Sequence, residues 1–460
     1  MNTSFTSIVA KNFRGFKDVS FSLQDTAKTN KPFIVVYGQN GSGKSSFARL
    51  FSILPSLALM MDSRLAFSQM LTDQSFAKLK SETFQEIIKS QFFSSAKDIV
   101  DDNKTIGTEG EPMELEYRFM IGQKNGVYRI VFSDDKVMQE SLSFRLDSRI
   151  ETLFAADEHS VRVLNEKVFL GTPVRASIRE EHARLFGLTS LLGIVYHFVF
   201  SSNEEYRKRN IRQDLVDILI FFSSLSVSVS GRSRNLMVRV DTVEQFYDLR
   251  DQDVTPESER IRPALEAGLT AFFSSLSYNL KSVEYRKTML DNKEVYSLYF
   301  NEYHGDDVVR SVPFHHLSSG TRKLLSLFFT LYNASFGKTT VIDEVDNGIH
   351  DLIIANILSG ASENESGQLI FTTHNTLLMK KLPKSCIHFL DLGPQNETSF
   401  YSLDEFGRAV QEKTDVIGRY LDGLYGGAPF PNVPSMKIIK EIMDDVLNKT
   451  ASEANPGGEA

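Results

Sequence analysis

An apolar run, Phe33–Tyr37, ends directly at a glycine-rich loop. This segment constrains the possible folds of the chain more than any other part of the sequence. The loop, residues 38–45, reads Gly-Gln-Asn-Gly-Ser-Gly-Lys-Ser. A continuous apolar run of this length is typical of a buried parallel strand. The glycines allow backbone N–H groups to curl around phosphate oxygens, and a helix beginning near Lys44 points its N-terminus at the same charge. The pattern predicts a P-loop; a chance glycine-rich turn is a poor alternative because a strand and a helix flank it.

Two side chains of the loop are expected to contact the nucleotide directly. Lys44 should reach the β and γ phosphates, and the Ser45 hydroxyl should ligate Mg²⁺. ATP and Mg²⁺ are therefore the predicted cofactors. Ser46 is a spectator within the pattern. The loop residues predicted to form the nucleotide site are Gly38, Asn40, Gly41, Ser42, Gly43, Lys44, Ser45 and Ser46.

A second apolar strand, within residues 338–344, ends in two adjacent acids, Asp343 and Glu344. Asp343 suits the outer shell of a Mg²⁺ ion, and Glu344 suits the polarisation of an attacking water. Two carboxylates at a strand end could also be a solvated cap. The P-loop elsewhere in the chain favours the catalytic interpretation.

The segment Leu317-Ser318-Ser319-Gly320 precedes a strongly apolar helix predicted over 324–331. A serine-rich turn before a helix is commonly an N-cap and nothing more. Its position shortly before the paired acids favours a second role as a nucleotide contact.

A third apolar strand, Ile370–Thr373, is followed at once by His374. A lone histidine is more often structural than functional, but this strand-histidine context fits a group that senses the γ-phosphate. The loop Asp346–His350 lies just after the paired acids. Gln123 and Gln139 are guesses for a further glutamine contact, and the sequence does not decide between them.

The pattern along the chain predicts an α/β fold with a mixed sheet and a compact helical insertion. We expect a strand hairpin over 5–23, a helix over 61–93, a loose polar stretch over 96–111 and antiparallel strands at 114–120, 127–132 and 141–145. Helical blocks follow over 168–278, without the heptads of a coiled-coil arm. Later strands are expected at 295–300, 308–312, 386–392 and 398–402, and an amphipathic helix is expected at 436–448.

These patterns suggest four segments. The predicted segments are 1–165 (N-terminal half of the core), 166–280 (helical insertion), 281–433 (C-terminal half) and 434–460 (a helix and, over 451–460, a disordered tail).

The charge and the apolar content exclude several classes of protein. A net charge of -8 argues against a chain that coats nucleic acid through bulk electrostatics. The single cysteine, Cys386, excludes a disulfide framework. The N-terminus lacks a signal-peptide pattern, and the longest apolar stretches fall short of the roughly 20 residues that span a bilayer. We expect a cytoplasmic protein with no membrane partner.

The order of these motifs resembles that of ABC-type ATPases. The resemblance implies that ATP is held between two copies of the chain, with Ser318, Ser319 and Gly320 acting on the partner's nucleotide and His374 as the switch histidine. At least a homodimer is implied, and a hexamer is possible. The segment 12–16, Asn-Phe-Arg-Gly-Phe, resembles the opening of RecF, Rad50 and SMC heads.

A narrower resemblance covers about residues 5–433. The segments 371–378, 401–406 and 424–430 are similar to compact ATPases of bacterial defence related to the OLD proteins, although Asp351 replaces a frequent proline. The resemblance implies the ATPase subunit of a two-gene anti-phage system such as PARIS. It would hold a separately encoded Toprim-type nuclease and answer to a trigger that could be a phage protein.

The motifs are also compatible with two functions other than a defence ATPase. A RecF-like DNA-repair head would need a basic groove, for which Arg207–Arg209 with Arg212, and Arg232, Arg234 and Arg239, are candidates; such clusters are usually solvated helix faces. A transporter ATPase fits poorly with the helical insertion. The Toprim-like spacing of Asp251 and Asp253 is interpreted as an acidic turn, which leaves the effector on another chain.

Overall fold

The computed structural model describes most of the chain. The described residues are 2–24, 30–72, 95–229, 232–233, 248–290, 293–305, 308–335, 337–361, 367–395, 397–409, 414–428 and 435–453.

An antiparallel sheet fills the N-terminal part of the molecule, in the strand order β2-β1-β4-β5-β6-β7-β8. Its strands are β1 (Thr3–Phe13), β2 (Phe16–Ser22), β4 (Met113–Ile121), β5 (Lys124–Phe132), β6 (Val137–Leu146), β7 (Arg149–Asp157) and β8 (Val161–Leu164). Buried and accessible residues alternate along β4, as expected for a sheet with one face on the core. The hairpin and the antiparallel strands predicted from sequence are confirmed.

A second sheet holds the P-loop strand at its centre, in the order β10-β9-β14-β15-β3-β16-β17. Its strands are β3 (Phe33–Tyr37), β9 (Ser226–Val229), β10 (Arg232–Ser233), β14 (Thr340–Ile342), β15 (Leu369–Thr372), β16 (Ile387–Leu392) and β17 (Thr398–Ser402). The five strands β9, β14, β15, β3 and β16 are parallel. The loops after β3, β14 and β15 therefore leave the same edge of the sheet.

The parallel sheet is covered on both faces. Successive side chains of β3 point to opposite sides of the sheet, and both sets are buried. Ile34 and Val36 join one hydrophobic cluster with helix α1 (Lys44–Ala58), whereas Phe33, Val35 and Tyr37 join a second cluster on the other face. Burial on both faces explains why β3 reads as an uninterrupted apolar run.

Helix α1 packs deeply in the first cluster. Phe47, Leu50 and Phe51 are fully buried, on the face predicted from sequence. Helix α2 (Met60–Thr72) follows it. The helix predicted over 61–93 is confirmed as far as Thr72, and its remainder lies outside the described residues.

The loose stretch predicted over 96–111 was partly wrong, because helix α3 spans Ala96–Asn103. Ser95 and Asp98 form a capping box: the backbone N–H of Asp98 donates to Ser95 Oγ at 3.3 Å, and that of Ser95 donates to Asp98 Oδ2 at 3.0 Å. The two hydrogen bonds give partners to two backbone N–H groups that the start of a helix otherwise leaves unpaired. The buried Ile99 and Val100 then hold the helix on the core.

The segment 166–280 is mostly helical, as predicted, but it is not a separate layer. Its helices are α4 (Thr172–Leu185), α5 (Leu191–Ser201), α6 (Glu204–Asn210), α7 (Gln213–Ser223) and α8 (Pro256–Ser274). Buried residues of α5 and α7 belong to the same cluster as α1. Strand β9, moreover, pairs with β14 in the parallel sheet, so the purely helical assignment is corrected there. The four-segment division stays a prediction.

A smaller sheet of β11 (Leu280–Leu290), β12 (Lys293–Tyr303) and β13 (Val309–Pro313) confirms the strands predicted at 295–300 and 308–312. It packs with α8 and with α9 (Ser319–Ser335) around a third hydrophobic cluster. The helix predicted over 324–331 is thereby confirmed.

The remaining elements are helical. They are α10 (Asp351–Ala361), α11 (Leu378–Lys381), α12 (Val416–Leu421), α13 (Met436–Glu453) and the 3₁₀ turns Phe314–His316, Lys384–Cys386 and Leu403–Ala409. Helix α13 confirms the amphipathic helix predicted at 436–448 and takes in 451–453 of the predicted tail; 454–460 lie outside the described residues. Within the described ranges, no helix has the length and apolar content needed to cross a membrane.

The N-terminus of α5 is held by a buried carboxylate, and removing it should destabilise the protein. Glu140 accepts hydrogen bonds from the backbone N–H groups of Leu191 (2.6 Å) and Leu192 (2.7 Å) and from the Tyr128 hydroxyl (2.9 Å). Glu140→Ala leaves these donors without that acceptor, so the free energy of unfolding should fall by on the order of 3 kcal/mol. Urea titration checks this, with the exposed Glu109→Ala as control; equal midpoints would contradict it.

The same carboxylate should make stability depend on pH. Burial raises the pKa of Glu140 from 4.5 to about 7, against the opposing effect of its three hydrogen bonds. Between these two pH values the folded state binds more protons than the unfolded state, so stability falls as pH rises through the window. The non-titrating Glu140→Gln variant lacks this slope. The free energy of unfolding of the wild type minus that of Glu140→Gln, measured by urea unfolding at several pH values, should therefore decrease from pH 4.5 to pH 7.

Candidate functional site

The P-loop occupies the sheet edge after β3, as predicted. Gly41 and Gly43 adopt the left-handed backbone region, with φ of 85° and 103°. At Gly43, a Cβ would lie 2.6 Å from the ring of Phe16, so a larger residue would clash with the β1–β2 hairpin. At Gly38, a Cβ would lie 2.5 Å from Ser42 Oγ. Glycine is thus required at both ends of the loop for packing, and at Gly43 also for its left-handed backbone conformation.

Lys44 lies inside the loop with its side chain folded back over it. Its Nζ donates to the carbonyl oxygens of Gly38 (2.7 Å) and Gln39 (2.9 Å). Lys44 is only 6% exposed, and the Oγ of Ser42 is buried with no hydrogen-bond partner among the described residues. A buried cation and an unsatisfied hydroxyl within a glycine loop fit a phosphate group that would take these hydrogen bonds.

Arg14 connects the β1–β2 hairpin to the start of α1. Its Nε donates to Ser46 Oγ at 3.3 Å, and its Nη1 donates to the carbonyl of Asp102 at 3.0 Å. The structure thus gives Ser46 an arginine partner, which accords with its description as a spectator. Ser45, the predicted Mg²⁺ ligand, lies half-buried in the first turn of α1.

The paired acids lie at the end of β14, bound to the neighbouring strand. Thr372 Oγ1 donates to Asp343 Oδ1 at 2.6 Å and accepts from the backbone N–H of Glu344 at 2.8 Å. Asp343 is 5% exposed, and Glu344 has a left-handed φ of 50°. A non-glycine residue in this region is strained and is typical of functional sites.

The backbone of His374, the predicted switch histidine, is held by a carboxylate from the loop after β14. Asp346 Oδ1 accepts from Thr373 Oγ1 at 2.8 Å, and Asp346 Oδ2 accepts from the backbone N–H of His374 at 3.2 Å. The side chain of His374 reaches the surface. Asp346 thereby joins the loop after β14 to the loop after β15. The only sequence signal was an acid two positions after Glu344.

These groups share one electrostatic environment. Burial lowers the pKa of Lys44, opposed by the carboxylates of Asp343, Glu344 and Asp346. Partial burial and the charge of Lys44 lower the pKa of His374, opposed by the same three carboxylates. The P-loop, the paired acids and His374 lie far apart in the sequence, and the adjacent parallel strands β3, β15 and β14 bring them to one edge of the sheet.

The serine-rich turn of residues 317–320, called the signature turn below, leads into α9. Ser318 Oγ accepts a hydrogen bond from the backbone N–H of Thr321 at 3.1 Å, so Ser318 does cap the helix. Ser318 and Ser319 are exposed, and Gly320 is half-buried. The N-cap alternative and the proposed role toward a second copy are compatible, since capping uses only one lone pair of the hydroxyl.

The signature turn contacts the loop that follows the paired acids. Lys323 Nζ donates to the carbonyl O of Asn347 at 2.8 Å, and a Cβ on Gly320 would lie 3.0 Å from the carbonyl O of Gly348. In the described part of the chain, the side-chain hydrogen bonds of Ser318 and Lys323 stay within α9 and this loop. These hydrogen bonds do not join the signature turn to the P-loop of the same chain.

A segment near the end of the described chain packs against the start of the P-loop, a contact that the sequence pattern did not predict. The backbone N–H of Gly427 donates to Asp391 Oδ1 at 3.0 Å, and the Tyr420 hydroxyl donates to the carbonyl of Gly427 at 3.0 Å. A Cβ on Gly427 would lie 3.3 Å from Gly38 Cα. The glycine is needed because another chain segment passes this close.

Several minor predictions lie away from this centre. Gln123 is in the exposed turn between β4 and β5, and Gln139 is exposed on β6, so neither gains support as a nucleotide contact. Asp251 and Asp253 are in an exposed turn, where Asp253 lies 3.7 Å from Lys293, which confirms their interpretation as a solvated acidic turn.

The first basic cluster is partly neutralised by acids. Lys208 pairs with Glu204, and Arg212 pairs with both Asp147 and Asp214. Of the second cluster, only Arg232 falls on described backbone, and Arg234 and Arg239 lie outside the described residues. The first cluster is therefore less basic than the sequence suggested.

Two family models match parts of the chain. A family described as "AAA domain, putative AbiEii toxin, Type IV TA system" matches residues 190–380, and one described as "AAA domain" matches residues 7–54. The first range contains the signature turn, the paired acids and His374; the second contains the β1–β2 hairpin and the P-loop. No curated protein matches the chain.

Solved structures similar to this chain include two Smc heads. One is the Smc head bound to the C-winged helix domain of ScpA, with 16% identity, a TM-score of 0.41, and coverage of 87% of this chain and 98% of the other. Another is the Smc head domain with an extended coiled coil bound to the C-terminal domain of ScpA from Pyrococcus furiosus, with 14% identity, a TM-score of 0.40, and coverage of 88% and 98%.

The predicted fold class is confirmed as an α/β fold with mixed sheets that carries a P-loop, and the two family matches support an ATPase domain. The fold carries the P-loop, paired acids and switch histidine on adjacent parallel strands.

Proposed function

We propose that this chain is the ATP-binding and hydrolysing sensor and scaffold subunit of a bacterial anti-phage system, and that it holds a separately encoded Toprim-type nuclease. The observation that carries the ATPase part is the convergence of Lys44, Asp343, Glu344 and His374 at one sheet edge. Among defence ATPases, the sequence most resembles AriA of the PARIS system, with the abortive-infection ATPase AbiL as the next candidate. The family description that mentions an AbiEii toxin and a type IV toxin–antitoxin system supports a defence role.

Hydrolysis in this proposal depends on positioning and charge neutralisation rather than covalent chemistry. Bound Mg²⁺ would neutralise developing charge on the phosphates, and Ser45 and Asp343 are the residues that would hold it. Lys44 binds the β and γ phosphates. Glu344 orients and polarises the attacking water, and His374 contacts the γ-phosphate.

A second copy of the chain completes the site. Ser318, Ser319 and Gly320 lie at an accessible helix N-terminus, where they can meet an anion presented by another molecule. Each ATP would then be held by the P-loop of one copy and the signature turn of its partner. The smallest competent assembly is a homodimer, and a hexamer would combine such dimers.

The native mass of the chain, co-expressed with its chromosomal neighbours with and without ATP, tests the proposal. A stable complex that includes a nuclease-like neighbour is the expected result, because the scaffold role requires a bound effector. The control is the same co-expression with the Lys44→Ala variant, which separates assembly driven by nucleotide from constitutive assembly. An ATP-driven dimer that binds none of its neighbours would contradict the scaffold role and favour a RecF- or SMC-like DNA-acting head.

A further inference from the structure

The hydroxyl of Thr372 lies between the two acids of the catalytic pair. It contacts the carboxylate of Asp343 at 2.6 Å and the backbone N–H of Glu344 at 2.8 Å, and Thr372 is fully buried. Thr372 is the last residue of β15, inside the strand that the sequence predicts before His374, but the sequence pattern gave this residue no role of its own.

The orientation of this hydroxyl follows from the chemistry of its partners. The Glu344 amide can only donate, so the Thr372 oxygen must accept from it. The single hydroxyl proton is therefore directed at Asp343 Oδ1, and an O–H···O⁻ bond of this length is a strong, charge-assisted one. Asp343 Oδ2 is not engaged by Thr372. One hydroxyl thus fixes both the carboxylate rotamer of Asp343 and the peptide plane that begins Glu344.

The backbone of Glu344 needs such a support. Its φ of 50° is unfavourable for a residue with a side chain, and such conformations persist only where surrounding contacts hold them. The Thr372 hydroxyl accepts from the Glu344 N–H, and the Thr372 carbonyl accepts from the backbone N–H of Val345 at 3.1 Å. These two hydrogen bonds hold the backbone on both sides of Glu344, and the Asn347 amide donates to the Glu344 carboxylate at 3.3 Å.

From this geometry we propose that Thr372 is a positioning residue for ATP hydrolysis: its hydroxyl holds Asp343 and Glu344 in the relative arrangement that Mg²⁺ and the attacking water require. The inference rests on the proposed hydrolytic function. In this proposal Thr372 does not contact the nucleotide. Removing its hydroxyl should therefore affect hydrolysis and not nucleotide binding. Loss of the hydroxyl should misplace the catalytic acids while the P-loop keeps its hold on the phosphates.

Thr372→Val removes the hydroxyl at nearly constant shape and tests the proposal. At saturating ATP, kcat should fall at least 10-fold and the Mg²⁺ concentration for half-maximal activity should rise several-fold. The affinity for a fluorescent ATP analogue measured without Mg²⁺ should change less than twofold. Thr372→Ser, which keeps the hydroxyl, should restore kcat to within about threefold of wild type. Thr340→Val is the matched control, because Thr340 is an equally buried threonine on β14. Among the described residues, its hydroxyl donates to the carbonyl of Lys338 alone, at 3.5 Å.

The outcomes distinguish this inference from the function on which it rests. If Glu344→Gln stops hydrolysis but Thr372→Val leaves kcat and the Mg²⁺ requirement unchanged, the positioning role is wrong and the ATPase stands. If the wild-type chain hydrolyses no ATP, the proposed function itself fails. Should Thr372→Val not fold, as judged by its melting temperature, Thr372→Ala is the second variant. It must show the same loss of kcat and the same raised Mg²⁺ requirement; wild-type values for both would overturn the proposal.

Discussion

Lys44→Ala should lower the affinity for ATP by about 100-fold. In the loop, Lys44 Nζ holds two carbonyl oxygens, at 2.7 and 2.9 Å, and these are the hydrogen bonds that phosphate oxygens would replace. Each charge-assisted bond contributes roughly 1.5–3 kcal/mol, so losing two of them costs at least about 3 kcal/mol, which corresponds to the stated factor. Titration with a fluorescent ATP analogue measures the change.

The same variant connects the site to the proposed biology. If the sensor needs ATP, Lys44→Ala should also abolish protection in a phage challenge of cells that carry the whole system. Lys97→Ala is the matched control, since Lys97 is exposed on α3 and, within the described residues, forms its ion pair with Asp101 of the same helix. Full protection by Lys44→Ala, at equal protein levels, would eliminate the ATP-dependent defence role.

Glu344→Gln should stop turnover without preventing ATP binding. The amide has nearly the shape of the carboxylate but cannot take a proton from the attacking water, and loss of a general base costs about 10²–10⁴ in rate. Because ATP is bound but not consumed, the two-copy assembly should accumulate. Single-turnover hydrolysis and native mass in the presence of ATP measure the two effects.

Glu294→Gln, an exposed acid on β12, is the control for the change of charge. Turnover that is unchanged in Glu344→Gln would remove Glu344 from its catalytic role. A loss of turnover without a stable dimer would instead separate hydrolysis from association, and would leave the role of Ser318 and Gly320 toward the partner unsupported.

The sequence was sufficient wherever one local pattern determined the result. The parallel strands β3, β14 and β15 could be located because burial on both faces requires a continuous apolar run, and the functional groups follow those strands directly. The first and third of these strands pair with each other in the structure. Adjacent strand ends then bring Lys44, Asp343 and His374 to the same edge.

Other features depended on contacts that no local pattern reports. Strand β9 has only four residues, and its membership of the parallel sheet comes from pairing with β14. The helix α3, by contrast, carried a readable signal in the Ser95–Asp98 capping box that a polar composition obscured. Thr372 and Gly427 owe their roles to partners distant in sequence, so neither could be recognised before the fold was known.

The position of β3 at the centre of the parallel sheet also has a consequence for how the chain is made. Both of its neighbours, β15 and β16, are translated long after it, and Gln368 reaches back across 363 residues to bond the backbone of Phe5. A nascent chain on the ribosome therefore carries a P-loop strand with two open edges, which favours chaperone capture or aggregation. Because the neighbouring strands and the paired acids are translated after the P-loop, a chain synthesised only as far as β3 and α1 lacks the other groups of the candidate site.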